Sequence, residues 1–144
     1  MIHVSDKEIQ KSYRKHKSIW ISAEKDQTAP NYSHKMVLFY AVECGLKSLY
    51  MKEFRLRMTN QENTEGRNIT EFGHNLNEIL NVLKMFNVKK KEYQLPQVEA
   101  EDKNQISPED MHQAWRYGKK LNDEKELQFV NSLKKILTEL EGRV

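Results

Sequence analysis

The chain has 144 residues, of which 31% are charged and 38% are hydrophobic, and its formal net charge at pH 7 is +3. This length suffices for one domain whose core needs no disulfide or metal, and the single cysteine, Cys44, excludes an internal disulfide framework. The composition excludes a disordered chain, while the mildly basic charge permits an anionic partner without predicting one. We find no run of 18 apolar residues and no signal-peptide pattern, and therefore predict a cytoplasmic protein without a membrane partner.

The first predicted helix covers residues 6–25. Ser5 and Glu8 form a capping box, in which each side chain accepts a hydrogen bond from the other residue's backbone N–H. Mostly apolar side chains then recur at spacings of three and four, which predicts one buried face. The residues of this face are Ile9, Tyr13, His16, Trp20 and Ala23.

The second predicted helix covers residues 34–57. It is apolar around almost its whole circumference, which is typical of a central helix with several neighbours. Glu43 and Lys47 lie one turn apart in the order that favours an ion pair. Gly45 costs about 1 kcal/mol relative to alanine in a helix interior, so we expect it to admit the close approach of another backbone. We expect Cys44, in the same apolar stretch, to be a buried and unreactive thiol.

A polar, turn-rich loop is predicted over residues 58–73. The third helix, with one apolar face, is predicted over residues 74–87, and a linker over residues 88–106. The last two helices are predicted over residues 108–117 and 123–141. The expected caps of these two helices are Ser107 for the first, and Asn122 or Asp123 for the second.

In no segment do apolar and polar residues alternate over more than a few positions, so we predict an all-α protein. We expect a compact up-and-down bundle of four to five helices in a single domain, 1–144. Three segments carry a further pattern: FYAVECGLKSLYMK (39–52), GHNLNEIL (73–80) and WRYG (115–118). Their order and spacing resemble those of the HEPN superfamily. The resemblance spans nearly the whole chain.

The resemblance implies a HEPN-like helical bundle that forms homodimers. Members of the superfamily include ribonuclease toxins, modules that bind nucleotides or nucleic acids, and partners of minimal nucleotidyltransferases in bacterial toxin–antitoxin and phage-defence systems. The active members resemble one another in an arginine that is followed, after four to six residues, by a histidine. Such pairs from two protomers meet in a dimer cleft and cleave RNA without metal.

Metal-independent RNA cleavage needs a base, an acid and a cation, and histidine and arginine are suited to these roles near neutral pH. Arg67 and His74 have the spacing of the motif, with six residues between them. They precede the third helix, however, where His74 also has the position of a helix cap and Arg67 that of a loop residue. The sequence leaves the catalytic and the structural interpretation of this pair open.

Arg116, in the WRYG segment, matches the position of the family's catalytic arginine better. Asn122 stands where the accompanying histidine would fall, and no histidine follows His112. Because an amide cannot exchange protons near pH 7, the familiar motif is incomplete at this position. His112, four residues before Arg116, either supplies the missing imidazole or is a surface histidine. Arg116 either binds a phosphate or forms a buried ion pair with Glu43.

We therefore predict a module that binds a nucleotide, a nucleic acid or a partner protein in a bacterial defence or toxin–antitoxin-type system and is not an efficient nuclease. One alternative is an active metal-independent endoribonuclease, with catalytic residues among Arg67, His74, His112 and Arg116. The other is a purely structural assembly subunit. The predicted binding residues are Glu43, Lys47, Arg116, Tyr117, Lys119, Lys120 and Asn122.

The expected partners are a second copy of the chain, a nucleotidyltransferase or another protein, and RNA or a nucleotide. No cofactor is predicted, because the chain has no glycine-rich phosphate loop and no Cys–His combination. His3, His16 and His34 stand singly, without the spacing of metal ligands, so no metal site is predicted either.

Overall fold

The protein folds mainly into α-helices. A computed structural model describes residues 2–26, 30–87 and 90–144. These ranges form seven α-helices and one two-stranded antiparallel sheet, so the predicted all-α class is confirmed apart from this small sheet. The helices are α1 (Asp6–Lys25), α2 (Tyr32–Glu53), α3 (Leu76–Val82), α4 (Lys84–Asn87), α5 (Lys90–Tyr93), α6 (Met111–Arg116) and α7 (Asp123–Leu140), and the strands are β1 (Val98–Glu99) and β2 (Gln105–Ile106).

Helix α2 is the centre of the fold, because α1, α3, α6 and α7 all pack against it. Its apolar circumference supplies these contacts, as the sequence indicated. Both ends of the helix, Tyr32–Glu53, lie earlier in the chain than the predicted range 34–57. It begins earlier because the Asn31 side chain accepts a hydrogen bond from the backbone N–H of His34. It ends earlier because Arg55 adopts the left-handed conformation, with φ of 56°, and the Leu56 N–H bonds back into the last turn.

Helices α1 and α2 run antiparallel. Ser12 lies beside Cys44 and His16 beside Tyr40, so the order of the contacts along one helix is reversed along the other. Helix α1 matches the predicted range 6–25 and begins with the expected capping box. Cys44 is half-buried rather than fully buried, and burial raises the pKa of its thiol, which favours the unreactive protonated form.

Gly45 lies where α1, α2 and α7 meet. A methyl group on Gly45 would lie 2.7 Å from Cδ1 of Leu140 and 2.8 Å from Cδ1 of Tyr13. The expected close approach therefore exists, but its partners are two side chains and not a backbone. Without a side chain at Gly45, the Tyr13 ring packs directly against α2.

The predicted third helix, 74–87, is divided into α3 and α4. Leu83 interrupts it with an extended backbone. The Glu53 side chain then accepts a hydrogen bond from the backbone N–H of Lys84, which starts α4. The cap of α3 is Asn75, whose side chain accepts from the N–H of Glu78, and not His74 as one interpretation of the sequence had it.

Two predicted loops contain short regular elements. The loop 58–73 includes a 3₁₀ turn at Ile69–Phe72. The linker 88–106 begins with residues 88 and 89, which lie outside the described residues, and continues through α5, β1 and β2. Val98 pairs with Ile106 in the two-residue hairpin. Strands this short cannot produce the alternating pattern that marks a strand in a sequence, which is why none was expected.

The segment predicted as the helix 108–117 starts with a 3₁₀ turn, Pro108–Asp110, before α6. The Ser107 side chain makes no capping hydrogen bond there. Helix α7 begins at Asp123 as predicted, and its cap is Asn122, whose side chain accepts from the N–H of Lys125. None of the helices in the described residues combines the length and the apolar character needed to cross a membrane.

Candidate functional site

A buried carboxylate on α2 organises a polar cluster. Glu43 is 8% exposed, and its Oε1 lies 2.6 Å from Nδ1 of His74 and 3.8 Å from Nζ of Lys47. The predicted Glu43–Lys47 pair is therefore present. Burying a carboxylate is costly unless it is paired, so His74 and Lys47 together offset the desolvation of Glu43. Because an ionised carboxylate only accepts hydrogen bonds, Nδ1 of His74 is the donor, and Nε2 of that ring is left for another partner.

His112 brings a second imidazole to the cluster. Its ring centroid lies 4.2 Å from that of His74 and 5.2 Å from that of Phe39. His112 is only 5% exposed, so the alternative of a surface histidine is wrong. It belongs to the inner face of α6, which packs on α2 beside Phe39. Two histidines that are 38 positions apart in the sequence are thereby placed in ring contact.

The environment of His112 disfavours its protonated form. Burial lowers the pKa of His112, and a positive charge on His74 lowers it further, while Glu43 and the backbone of Glu109 oppose the change. Nδ1 of His112 is buried and has no hydrogen-bond partner of good geometry among the described residues. The surroundings therefore favour the neutral form of His112, whose ring lies beside a second imidazole that is held by a carboxylate.

Arg116 supplies a cation at the edge of this cluster. It lies one helical turn after His112 on α6, is exposed, and forms no ion pair within the part of the chain that the structure describes. The expected buried pair with Glu43 is not formed, since the partners of that carboxylate are His74 and Lys47. The guanidinium carbon lies 5.7 Å from the ring centroid of Tyr117.

Arg67 is placed in a different environment. Its Nη2 donates to Oε1 of Glu78 at 2.5 Å, and Nε lies 3.7 Å from Oε2 of Glu71. The guanidinium also lies 4.3 Å above the Phe72 ring centroid. These contacts fasten the loop to the start of α3, and no ion pair or hydrogen bond joins Arg67 to His74 in the described residues. Within the chain, Arg67 and His74 therefore have different partners, Glu78 and Glu43, despite the spacing that suggested a catalytic pair.

The other predicted binding residues lie in the turn between α6 and α7. Tyr117 is 77% exposed. Lys119 forms an ion pair with Asp102 at 2.5 Å, and Lys120 is exposed. The Asn122 side chain is engaged as the cap of α7, which leaves it little capacity for a ligand. Of this group, Tyr117 and Lys120 have side chains that are free to meet a ligand.

Tyr40 belongs to the site but was not singled out from the sequence. Its ring centroid is 6.2 Å from that of His112 and 6.1 Å from that of His16. Burial and the negative charge of Glu43 raise the pKa of Tyr40, whereas the nearby charge of Arg116 opposes this rise. Tyr40 precedes Glu43 by three positions, and this helical spacing was the signal that could have indicated its place.

The cluster thus combines two imidazoles, one of them bonded to a carboxylate, with an exposed guanidinium. Such groups can accept a proton, donate a proton and bind a phosphate. Within the described residues, no three His, Cys, Asp or Glu side chains are grouped so that they could hold a metal ion.

A scan against protein-family models found no match to the chain, and neither the search of curated proteins nor that of solved structures found a significant one.

Stability should depend on pH through His112. Its pKa in the folded state lies below the ordinary value of 6.5, so the unfolded chain binds the proton more strongly. The free energy of unfolding should therefore be fully retained above about pH 6.5 and should fall as the pH drops through the folded-state pKa. His112→Phe removes this titration and keeps a flat ring beside Phe39.

Urea denaturation at about pH 7.5 and about pH 5 measures the effect. The wild-type protein should lose more free energy of unfolding on acidification than His112→Phe. His3→Phe, which removes an exposed histidine, should behave as the wild type does. Equal losses in the wild type and in His112→Phe would contradict the buried, neutral state of His112.

Proposed function

We propose that the chain is a HEPN-like domain that binds a nucleotide or a single-stranded nucleic acid through its phosphate groups. The observation that carries this proposal is the exposed guanidinium of Arg116, which has no acidic partner in the described residues and lies one turn from His112. His112 in turn contacts His74, whose Nδ1 is held by Glu43. An unpaired arginine beside a polar imidazole is suited to a phosphate, since its planar fork can donate two parallel hydrogen bonds.

His74 is the second ligand group of the proposed site. The Glu43 bond fixes the orientation of the imidazole, as carboxylates commonly do for histidines that bind a ligand or metal. Nε2 of His74 can then bond to a phosphate oxygen when it carries a proton. Lys47 contributes less, because the Glu43 carboxylate lies 3.8 Å from its ammonium group. Phosphate recognition therefore rests on Arg116 and His74.

The biological setting is proposed from the resemblance of residues 39–52, 73–80 and 115–118 to the HEPN superfamily. We propose a cytoplasmic homodimer that acts as a partner or regulatory component of a bacterial defence or toxin–antitoxin-type system. Its protein partner in that system would be a nucleotidyltransferase or another component of the same module.

A binding role is favoured over catalysis because His112, at 5% exposure, is poorly accessible to a substrate proton.

Metal-independent RNA cleavage is the second candidate function, and the contact between the two imidazoles favours it. His112 has a lowered pKa and can act as a neutral base, while His74 is exposed and held by a carboxylate. Arg116, one helical turn after His112, would stabilise the charge of the phosphorane in this candidate. Arg67 has no part in this candidate site, because its guanidinium is bound by Glu78.

Binding is tested by fluorescence anisotropy with a labelled single-stranded oligoribonucleotide of about ten nucleotides in EDTA. Arg116→Ala should weaken binding about tenfold or more, because a hydrogen bond to a charged group contributes about 1.5–3 kcal/mol. The slope of log affinity against log salt should also decrease by about 0.7 for the one lost phosphate contact. Arg67→Ala should leave the affinity unchanged.

Arg14→Ala is the matched control, since it removes the same charge from an exposed position on α1. Equal weakening by Arg14→Ala and Arg116→Ala would mean that binding follows net charge and not a site. Failure of the wild-type protein to bind any oligonucleotide at low salt would favour the purely structural subunit.

Cleavage is tested with a labelled RNA in EDTA, followed on a denaturing gel. The binding proposal predicts that the wild-type protein leaves the RNA intact. If the RNA is cut, and the cut disappears in both His74→Ala and Arg116→Ala but persists in Arg67→Ala, the second candidate replaces the first. A deoxyribose oligonucleotide of the same sequence should resist such cleavage, because the reaction needs the 2′-hydroxyl group as nucleophile.

A further inference from the structure

The turn that follows α6 carries a groove beside the phosphate site. The groove has a volume of about 620 Å³, which is large enough for a nucleoside. It begins directly after Arg116 in the chain. Its lining residues are Glu101, Asp102, Tyr117, Gly118, Lys119 and Lys120.

We infer that Tyr117 in this groove stacks on a base of the bound nucleotide, so that the site selects nucleotides over bare phosphate. This inference rests on the proposed phosphate site at Arg116. The Tyr117 ring is 77% exposed, although a tyrosine of a folded domain usually buries most of its ring. Every base has a π-face, so an exposed aromatic ring beside a cation is the usual platform for single-stranded nucleic acids.

The backbone holds Tyr117 in place although its ring is exposed. The N–H of Tyr117 donates to the Gln113 carbonyl at 2.9 Å, and the N–H of Lys119 to the Ala114 carbonyl at 2.8 Å. Gly118, at φ of 68°, turns the chain between them and carries no side chain that could cover the ring. The ring is therefore presented from a fixed turn, which lowers the entropy cost of stacking.

The region divides into two parts with different charges. Arg116 forms no ion pair among the described residues, whereas the groove carries the carboxylates of Glu101 and Asp102, the latter bound by Lys119, together with the exposed Lys120. Carboxylates repel a phosphate but accept hydrogen bonds from ribose hydroxyls and from amino groups of bases. This division suits a nucleotide whose phosphate is bound by Arg116 and whose ribose and base occupy the groove.

Two probes of equal charge test the inference: a labelled oligoadenylate of about ten nucleotides and an abasic oligonucleotide of the same length. Tyr117→Ala should weaken binding of the oligoadenylate roughly 5- to 100-fold, which is the usual effect of losing one stacking partner. Binding of the abasic probe should stay unchanged. Tyr117→Trp, with a larger ring, should bind the oligoadenylate at least as tightly as the wild type.

The outcomes separate the two proposals. If Tyr117→Ala weakens binding of neither probe, or weakens binding of both equally, the stacking role of Tyr117 is overturned. The phosphate site still stands in that case if Arg116→Ala weakens binding of both probes. If neither Arg116→Ala nor the control Arg14→Ala weakens binding of either probe, the phosphate site is overturned. Tyr117→Ala should keep the wild-type melting temperature because the ring is exposed, so lost binding would not reflect unfolding.

Discussion

The hydrogen bond between Glu43 and His74 is the interaction on which the site depends. Glu43 lies in the middle of the central helix and is almost fully buried, so its charge requires a partner from another element. The residue that meets it stands just before α3, 31 positions later in the chain. The bond thus ties the segment before α3 to the central helix, and it orients the imidazole of His74 at the same time.

A second buried carboxylate places the other half of the site. Glu126 on α7 accepts from the indole N–H of Trp115 at 2.9 Å and binds the ammonium of Lys35 at 3.0 Å. These bonds join α6 to α7, and α7 to the first turn of α2. With Trp115 turned inward, His112 faces the core beside Phe39, and Arg116 at the end of the helix is exposed. Two internal acids therefore determine which side chains of α6 reach the His74 cluster.

The sequence predicted the long helices well because their signals are local. The capping box at Ser5 and the amide cap at Asn122 involve neighbours three positions away, which a sequence shows directly. The break at Leu83 was missed because the apolar pattern continues through it, while the group that starts α4 is a side chain of α2. The hairpin was missed because its strands have only two residues each.

The site was harder to predict than the fold, for a physical reason. Spacing shows which residues share a helical face, as for Glu43 and Lys47. It does not show which residue from another element contacts that face, as His74 contacts Glu43. Arg67 and His74 have the spacing of a catalytic motif, and each forms its strongest contact with a different carboxylate. His112 was considered as a surface residue because nothing in its local sequence indicates contact with Phe39 and His74.

The central claim is that Arg116 and His74, whose ring contacts His112, form one ligand site, and NMR spectroscopy of the histidine rings tests it most directly. The ring signals are recorded while a single-stranded oligoribonucleotide is added. We expect the signals of His74 and His112 to shift together and to saturate at one midpoint, while that of the exposed His3, next to the Val4 that bonds to Thr59, stays constant. In Arg116→Ala the same shifts should require a higher concentration of oligonucleotide. Unchanged signals of His74 and His112 at saturating oligonucleotide, or equal shifts of all histidines including His3, would contradict the claim.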